Sequence, residues 1–489
     1  MQNQNWARLS RVVAVAAAAL LVVSFSTIAA AQGRSEGAAM AAATPAVSPR
    51  TPQAGNILTP QSSIERPEDA GLRAHTNVVL RSLDGSKPLV ISSTQALAAA
   101  VASGATVENF ETPYSLGCLY VSSPAKRNTG CVPSLAANHG PSPAGWGAIA
   151  LVDAYDNPNI ADDLKAFDKF FGLPAAHFTK IIANGNGDCL YPPVDAGWAL
   201  EESLDVEWAH VFASKAQIIL VEACSNSNVD LFYAEGVAIS YIQNNYGGGQ
   251  VSNSWGGGEF SGENSFDPTF AGWNYNAFVP VVTFASAGDS GCGAAYPSSN
   301  PWLVSAGGTS VLRNPDLTFN SESCWGNSGG GSSVYETYAT GFSGSNTGPW
   351  ADYQYPIFAQ ASRQTPDLAF NADPASGAVV DSLYFGEFYG VCAAEPCLFE
   401  VGGTSLSSPA LASIVNRANN RETTCFGFSV SNFCWFTNGE NNLLYSQLST
   451  ATAYYTNFYD ITTGSNSCTV TDHWDYCTGV GSPRDLLGK

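Results

Sequence analysis

The chain has 489 residues, with 41 Asp and Glu against 20 Lys and Arg, which gives a net charge of −21. Its length suits one large domain or two ordinary ones. An acidic chain without a basic patch does not neutralise phosphates, so we expect no nucleic-acid partner. The excess of carboxyl groups suits a protein that works in acid, where protonation reduces self-repulsion.

The N-terminus predicts export. Arg8 and Arg11 precede an apolar segment over residues 12–23, and a small-residue cleavage site follows at 29–31. This order is typical of a secretory signal peptide over residues 1–31. The apolar part is too short to span a membrane comfortably. We therefore expect a secreted protein, extracellular or periplasmic, with no membrane contact after signal removal.

Residues 32–112 are predicted to form a short pro-segment or N-terminal arm. The stretch is rich in Ala, Pro, Ser, Thr and Gln up to Leu72, a composition typical of flexible leaders. Two patches of order are expected within it, a strand over 77–81 and a helix over 93–102. The main domain is expected to cover residues 113–489.

In the main domain, apolar runs that predict strands alternate with apolar periodicities that predict helices. Strands are expected at 148–152, 216–221, 251–255, 279–285 and 302–306, and helices at 159–171 and 195–212. This alternation predicts an α/β fold in which a parallel sheet is flanked by helices. Ligands of such sheets bind beyond the carboxyl ends of the strands.

Twelve cysteines in an exported chain predict disulfides. Their connectivity does not follow from the sequence, although neighbours along the chain would form short loops. That pairing joins Cys118 to Cys131, Cys392 to Cys397, Cys425 to Cys434 and Cys468 to Cys477, and leaves Cys189 with Cys224 and Cys292 with Cys324. None lies in a Cys-x-x-Cys pair or beside a histidine, so structural cross-links are favoured over a zinc or redox site.

A candidate nucleophile, Ser405, lies in the stretch 402–409, where an apolar run and two glycines precede a helical pattern. At a helix N-terminus, unpaired amides and the helix dipole favour developing negative charge. Pro409 is accommodated if it lies in the first turn. The alternative is a Gly-Thr-Ser cap before a core helix.

The helix over 195–212 offers a candidate base. Glu201 and Asp205, four residues apart, share one face of it. Like charges at this spacing are locally unfavourable, and unfavourable local choices tend to mark functional sites. Glu202 and Glu207 are expected to be solvated, and the alternative is that all four carboxylates form an exposed acidic face. His210, at the end of the same helix, is interpreted as structural.

Asp289 follows a predicted buried strand, within the stretch 285–291. An aspartate between small residues often caps a turn. The other interpretation is that its carboxyl group points into the cleft that contains Ser405.

Together these residues resemble the sedolisins, or serine-carboxyl peptidases, which are relatives of the subtilisins. The resemblance covers about residues 113–483. It rests on Glu201-x-x-x-Asp205, Ser252-Asn-Ser-Trp-Gly256, Ser286-Ala-Gly-Asp-Ser-Gly291, Gly402-Gly-Thr-Ser405-x-x-x-Pro409, Asp460-Ile461 and Asp475-x-x-Thr-Gly-x-Gly-Ser-Pro483.

The resemblance implies a single large catalytic domain with a subtilisin-like α/β fold and endopeptidase activity in acid. It makes Ser405 the nucleophile, Glu201 the general base, Asp205 the residue that orients Glu201, and Asp289 an oxyanion-hole donor. The chemistry agrees, because a histidine base would be protonated in acid whereas a carboxylate still accepts a proton. Asp289 donates to an oxyanion only while protonated.

We expect a monomer that acts on polypeptide substrates. A substrate would bind as an extended strand, and its backbone would pair with the edge near Ser252, Ser254, Trp255 and Gly256 and with the loop 329–331. For Trp255, a place in the hydrophobic core is an equally good interpretation.

The resemblance also implies a calcium site in the C-terminal loop, with Asp460, Asp475 and the carbonyl of Ile461 as ligands. Carbonyls of Thr471 and His473 complete the set, although the family usually has glycine at these two positions. Hard oxygen ligands suit calcium. If glycine-only angles are needed there, the turn is strained, and a bridge between Cys468 and Cys477 would brace the loop instead.

Two alternatives to an acid-acting peptidase stay open. One is a catalytically inactive relative that binds peptides. The other is a subtilisin-type peptidase that uses Asp153, His210 and Ser405. A further departure is the leader, because most sedolisins carry a large folded prodomain and residues 32–112 are too short for a full version.

Overall fold

The computed structural model describes residues 57–82, 85–91, 110–122, 127–134, 140–185, 187, 189–271, 281–314, 316–337, 354, 362–418, 425–428, 431–434 and 437–489. The chain divides into two units, and all of these residues belong to the second, Pro52–Lys489. The signal peptide predicted over 1–31 and the helix predicted over 93–102 lie outside the described residues. Within the described ranges, no helix has the length and apolar character needed to cross a membrane.

The strands follow one another along the described chain. They are β1 Ile57–Leu58, β2 His75–Thr76, β3 Val79–Arg81, β4 Ala148–Ala154, β5 His177–Ala183, β6 Gln217–Ala223, β7 Gly249–Asn253, β8 Trp255–Gly258, β9 Val281–Ser286, β10 Ala295–Tyr296, β11 Val304–Arg313, β12 Phe319–Cys324, β13 Gly331–Thr337, β14 Ser362–Thr365, β15 Leu368–Asn371, β16 Ala378–Asp381, β17 Leu398–Gly402, β18 Cys425–Phe428, β19 Ser431–Cys434, β20 Phe458–Tyr459 and β21 Ser482–Pro483.

The helices lie between these strands. They are α1 Pro113–Tyr120, α2 Arg127–Gly130, α3 Ile160–Phe171, α4 Ala196–Phe212, α5 Asn228–Asn245, α6 Asp267–Phe270, α7 Leu383–Phe388, α8 Thr404–Ala418, α9 Thr437–Ser446 and α10 Ala451–Asn457.

The central sheet has the order β12-β11-β9-β7-β4-β6-β5, and β15 pairs with β11. The pairs among β5, β6, β4, β7, β9 and β11 are parallel, as is β11 with β15, whereas β12 runs antiparallel at the edge. Helices cover the sheet, so the predicted α/β fold with a parallel sheet flanked by helices is confirmed.

Strand β4 shows why its apolar run has no alternation. Ala150 and Val152 pack in a cluster with residues of α5, whereas Ile149 and Leu151 pack in another cluster with residues of α3 and α4. A strand with helices on both faces buries successive side chains on opposite sides, and its sequence is therefore continuously apolar.

The first described residues, 57–82, form a segment of short strands and two 3-10 helices that we call the arm. Its strand β2 pairs antiparallel with β8, and β3 pairs antiparallel with β17. The arm thus adds one strand to a small sheet with the order β10-β8-β2 and two strands, β1 and β3, to a sheet with the order β1-β3-β17-β16. The strand predicted over 77–81 corresponds to β3, whose ladder begins two residues later.

The disulfides agree in part with the pairing of neighbours. Bridges join Cys118 to Cys131, Cys189 to Cys224 and Cys392 to Cys397, as that pairing has them. The pairings Cys292/Cys324 and Cys468/Cys477 are wrong, because Cys292 bonds Cys468 and Cys324 bonds Cys477. The side chains of Cys425 and Cys434 lie outside the described residues.

The two corrected bridges connect the C-terminal loop to the main domain. Cys324 ends β12 at the edge of the central sheet, and Cys292 follows β9. The C-terminal loop is therefore held by bonds distant in sequence, which the spacing of the cysteines alone did not reveal.

Candidate active site

Ser405 is the second residue of α8, directly after the turn that leaves β17. The turn requires Gly403, which has a φ of 104°, a conformation that side chains rarely adopt. Ser405 is fully buried. Its hydroxyl donates to the carbonyl oxygen of Ser254 at 3.1 Å and accepts from the amide of Asn77 at 3.1 Å.

Pro409 lies inside α8 and not in its first turn, which corrects the sequence expectation. A proline there has no amide to donate to the carbonyl of Ser405, four residues earlier. The hydroxyl of Ser254 approaches this carbonyl at 3.2 Å. The same hydroxyl also lies 2.7 Å from Asp205 Oδ1, so Ser254 connects the helix of Ser405 to α4.

Glu201 and Asp205 lie one turn apart in α4, whose N-terminus is capped by the side chain of Asp195. Both carboxyl groups are fully buried. Burial raises the pKa of Glu201 well above its ordinary value, and the adjacent hydroxyl of Ser405 opposes that rise. Neither oxygen of Glu201 makes a hydrogen bond of regular geometry within the described residues. Glu201 therefore lies beside Ser405 with free acceptor capacity.

Asp153, which the sedolisin interpretation did not assign, is a third carboxyl group of this site. It is fully buried near the end of β4. Burial, followed by the charge of Glu222, raises its pKa to about 8. Burial is the largest cause of the raised pKa values of Glu201 and Asp205, and the charge of Asp153 is the second largest. The signal for it was its position at the carboxyl end of a buried strand.

Asp289 binds the residue before Ser405. Its Oδ1 accepts from the amide and from the hydroxyl of Thr404, both at 2.8 Å. Its Oδ2 lies 2.8 Å from the position that a Cβ on Gly403 would take, and the carbonyl oxygen of Asn77 lies 1.9 Å from that position. The amide of Ser405 donates to the same carbonyl at 3.2 Å. Asp289 Oδ2 and the Ser405 amide therefore both lie near the carbonyl oxygen of Asn77, and the amide bonds it.

The residues predicted to bind a substrate strand, Ser252, Ser254, Trp255 and Gly256, lie in different environments. Ser252 is buried in the central sheet and bonds Ser408 of α8 at 2.7 Å. The Trp255 side chain is in the core, and its Nε1 donates to the carbonyl of Val152, whereas its backbone pairs with the arm. Gly256 pairs with His75. The edge predicted to receive a substrate strand thus carries the arm.

The expectation that the other acidic residues of α4 are exposed to solvent is wrong. Glu202 and Glu207 are fully buried, because α4 is enclosed by α3, α7, α8 and the sheet. Burial raises the pKa of both. Glu207 Oε2 accepts from the amide of Asp381.

His210 contacts neither the serine nor its carboxyl neighbours. Its Nε2 lies 2.8 Å from the carbonyl of Pro174 and 3.3 Å from Asp168 Oδ1. Burial lowers its pKa. These contacts suit a buried structural histidine.

The C-terminal loop brings together residues that the calcium hypothesis named. The amide of His473 donates to Asp460 Oδ1 at 3.0 Å, and the amides of Cys477 and Thr478 donate to Asp475 Oδ1. His473 has a φ of 71°, so it adopts the glycine-like conformation expected there. In the described ranges, no three His, Cys, Asp or Glu side chains are grouped as metal ligands.

Asn77, in the arm, was not predicted to be near the site. It touches Ser405 through both its amide and its carbonyl group, and its side chain donates to Ser286 Oγ at 2.8 Å. No local pattern marks it, because its partner lies 328 residues away.

Comparisons with known proteins agree with this geometry. No profile of a known protein family matches the chain. It is 28% identical over 364 residues to "Kumamolisin" of Bacillus sp. (strain MN-32), covering 68% of this chain and 57% of that protein. It is 28% identical over 193 residues to "Xanthomonalisin" of Xanthomonas sp. (strain T-22), covering 38% of this chain and 21% of that protein.

Among solved structures, the fold matches "Pseudomonas sedolisin (serine-carboxyl proteinase) complexed with two molecules of pseudo-iodotyrostatin" with a TM-score of 0.56 and 20% identity. The match covers 77% of this chain and 96% of that one. The chain spans little more than half the length of kumamolisin. The sedolisin resemblance and the fold predicted from the sequence are confirmed.

Proposed function

We propose, from its kinship with the sedolisins, that this chain is a secreted serine-type endopeptidase that hydrolyses polypeptides in acid. The observation that carries the proposal is the position of Ser405, which lies beside the buried carboxyl group of Glu201. Among the described residues, no imidazole hydrogen-bonds the Ser405 hydroxyl. Ser405 is the nucleophile, and Glu201 takes its proton and returns it to the leaving amine.

Asp205 is proposed to position Glu201. The two carboxyl groups and Asp153 are all fully buried. Asp153 raises the pKa of both Glu201 and Asp205, and Glu201 also raises the pKa of Asp205. Groups coupled this closely lose their protons as a set. Loss of the first proton gives the set one negative charge, which is enough for a base at Glu201. Loss of further protons costs more, because no cation is among the groups that act on Glu201 and Asp205.

Asp289 is proposed to stabilise the oxyanion together with the amide of Ser405. The Ser405 amide bonds the carbonyl oxygen of Asn77, and Asp289 Oδ2 lies near the same oxygen, which supports a role for both groups at a substrate carbonyl. A carboxyl group donates a hydrogen bond only while protonated, so this role also favours acid. The backbone of residues 254–256 is proposed to bind the substrate strand, with Ser252 supporting it from the sheet.

The C-terminal loop is proposed to bind calcium. Asp460 and Asp475 are close enough for Asp460 to raise the pKa of Asp475, after the larger effect of burial. Two carboxylates with the backbone carbonyls of Ile461, Thr471 and His473 form an all-oxygen donor set, which fits calcium. When bound, the ion would neutralise the two carboxylates and hold the loop against the domain.

The disulfides support an oxidising compartment, as expected of a secreted protein. The acidic composition supports the absence of a nucleic-acid partner. A monomer remains our expectation.

The test is hydrolysis of a denatured polypeptide by the purified protein between pH 3 and pH 8. We expect maximal turnover in acid and loss of turnover in Ser405→Ala and Glu201→Gln, with His210→Ala retaining it. Turnover that is maximal near neutrality, survives Glu201→Gln and is lost in His210→Ala would instead identify a subtilisin-type peptidase. A parent protein without turnover at any pH would indicate an inactive peptide-binding relative.

A further inference from the structure

We infer that Asn466, in the C-terminal loop, is a positioning residue for Asp289. Its hydrogen bonds fix the backbone between β9 and β10, residues 287–294, which carries Asp289 and which we call the Asp289 loop. The inference rests on the proposed role of Asp289 in peptide hydrolysis and names the residue on which the placement of that carboxyl group depends.

The first residues of the Asp289 loop are tied to the central sheet and to the helix of Ser405. The amide of Ala287 donates to the carbonyl of Ala306 in β11 at 2.8 Å, and the amide of Gly288 donates to Thr404 Oγ1 at 3.1 Å. The loop then turns outward, and Cys292 is exposed. The position of Asp289 therefore also depends on what holds the residues that follow it.

Asn466 holds the far side of the Asp289 loop directly. Its backbone carbonyl accepts from the amide of Cys292 at 2.8 Å. Gly291 has a φ of 78°, and a Cβ on it would lie 3.1 Å from the same carbonyl oxygen. The close approach to Asn466 thus requires a residue without a side chain at this turn.

Asn466 also holds the near side of the Asp289 loop, through Ser328. Its Nδ2 donates to the carbonyl of Ser328 at 2.9 Å. The next residue, Gly329, donates its amide at 2.6 Å to the carbonyl of Gly288, the residue before Asp289. Asn466 therefore acts on the backbone on both sides of Asp289.

The C-terminal loop fixes Asn466 in turn. Asn466 is fully buried, its Nδ2 also donates to the carbonyl of Tyr476 at 2.9 Å, and its Oδ1 accepts from the amide of Cys468 at 3.1 Å. The bridge between Cys292 and Cys468 joins the same two segments covalently. Removing the carboxamide would leave the carbonyls of Ser328 and Tyr476 without this donor, which is costly for buried groups.

The expected consequence is a change of rate and not of substrate binding. A donor at an oxyanion acts in the transition state, and a displacement of about 1 Å costs up to about 100-fold in rate. The substrate strand is proposed to bind the backbone of residues 254–256, which lies outside the Asp289 loop. Loss of the Asn466 side chain should therefore lower kcat and leave KM unchanged.

The first experiment is steady-state hydrolysis of a denatured polypeptide in acid by the full chain carrying Asn466→Ser. Serine keeps an oxygen that can accept from the Cys468 amide, but it loses the two donations of Nδ2. We expect kcat to fall roughly tenfold, with KM within about twofold of the parent value. Circular dichroism at the assay temperature checks the fold.

Asn416→Ser is the matched control. Asn416 is also fully buried, and its Nδ2 donates to the carbonyl of Trp146 and to Gln250 Oε1, while its Oδ1 accepts from the Trp146 amide. These partners lie outside the Asp289 loop, near the other end of α8. We expect kcat within about threefold of the parent. Equal losses in the two variants would overturn the inference.

A double-mutant cycle separates a positioning role from a general structural one. In an Asp289→Ala background, adding Asn466→Ser should lower kcat by less than about twofold, because the group that Asn466 positions is already gone. Losses that multiply would show that Asn466 acts by another route, and the inference would be wrong.

The same assays distinguish failure of the inference from failure of the proposed function. If Asp289→Ala lowers kcat but Asn466→Ser does not, the inference is wrong and the role of Asp289 stands. If the parent has no turnover, or Asp289→Ala leaves kcat unchanged, the proposed role of Asp289 fails and the inference fails with it.

Hydrogen exchange of the parent protein needs no variant. The amides of Cys292 and Gly329 should exchange at least about a hundredfold more slowly than in an unfolded peptide, since both are held in the arrangement around Asn466. Exchange as fast as in an unfolded peptide at both amides would contradict the clamp and overturn the inference, even if Asn466→Ser does not fold.

Discussion

The hydroxyl of Ser405 donates its hydrogen bond to the carbonyl oxygen of Ser254 at 3.1 Å, although the carboxyl group of Glu201 lies beside it. In the proposed mechanism, the serine proton therefore has to turn from a backbone acceptor to Glu201 before it can be transferred. Both oxygens of Glu201 lack a hydrogen bond of regular geometry within the described residues, so Glu201 can accept the serine proton once the carboxyl set has lost its first proton. A rotation of one hydroxyl separates the resting arrangement from the reacting one.

From this relationship we predict that Glu201→Gln lowers kcat about 100- to 10,000-fold, because glutamine retains the shape of the side chain but does not accept the serine proton. Steady-state kinetics on a denatured polypeptide at the pH of maximal turnover provide the measurement. Circular dichroism checks that the variant is folded.

Glu202→Gln is the matched control for that prediction. Glu202 is the next residue of α4 and is equally buried. Apart from burial itself, the carboxylate of Glu222 is the largest cause of its raised pKa. Ser405 is not among the groups that act on Glu202. We expect kcat within about threefold of the parent. Equal losses in the two variants would mean that burial of a carboxyl group in this helix, and not contact with Ser405, supports turnover.

Asp289 gives a prediction about pH. Asp289→Ala should lower kcat about 100- to 1000-fold, because one oxyanion donor is removed. Asp289→Asn should retain much more turnover, since an amide also donates, and it donates whether or not the solution is acidic. The profile of kcat against pH is expected to extend further toward neutrality in Asp289→Asn than in the parent. An unchanged profile would mean that proton loss from Asp289 is not what lowers kcat of the parent protein as the pH rises.

A second group of carboxyl groups predicts acid stability. Burial is the largest cause of the raised pKa values of Glu263, Asp267 and Glu336, at about 9, 8 and 10. The folded protein therefore binds more protons than the unfolded chain above the ordinary carboxyl pKa. The contribution of these three groups to the free energy of unfolding is therefore largest below about pH 4 and falls as the pH rises toward 8–10.

We expect the melting temperature at pH 4 to exceed that at pH 7 by more than about 5 °C. Differential scanning fluorimetry over this range measures it. Glu336→Gln should reduce the difference, because one proton no longer leaves as the pH rises. The exposed Glu387→Gln should leave the difference unchanged. A melting temperature that rises between pH 4 and pH 7 would contradict the assigned shifts.

The sequence predicted the parts of the molecule that depend on local pattern. The continuous apolar run of β4 reflects burial of both faces of the strand, and the apolar residues of α8 reflect a helix that is buried throughout residues 404–416. The burial of Glu202 and Glu207 did not follow, because it depends on which elements surround α4. An acidic residue looks the same in sequence whether water or another carboxyl group faces it.

The candidate site shows the same division. Glu201 and Asp205 could be paired from their spacing, since four residues make one helical turn. Asn77 could not be placed, because its contact with Ser405 depends on the path of the whole arm through two small sheets. The bridges of Cys292 and Cys324 were missed for a related reason, since they connect strand ends that only the folded sheet brings close to the C-terminal loop.

Calcium should stabilise the C-terminal loop. Asp460 and Asp475 lie close to each other, and Asp475 is only 2% exposed, so a divalent ion would remove their repulsion. We expect millimolar calcium, added after dialysis against a chelator, to raise the melting temperature by several degrees, on the order of what a ligand at 100 times its Kd contributes. Asp475→Asn should lose this response, whereas the exposed Asp472→Asn should keep it. Equal melting temperatures of the parent protein with calcium and with chelator would rule out a stabilising ion, and the loop would then depend on its two disulfides.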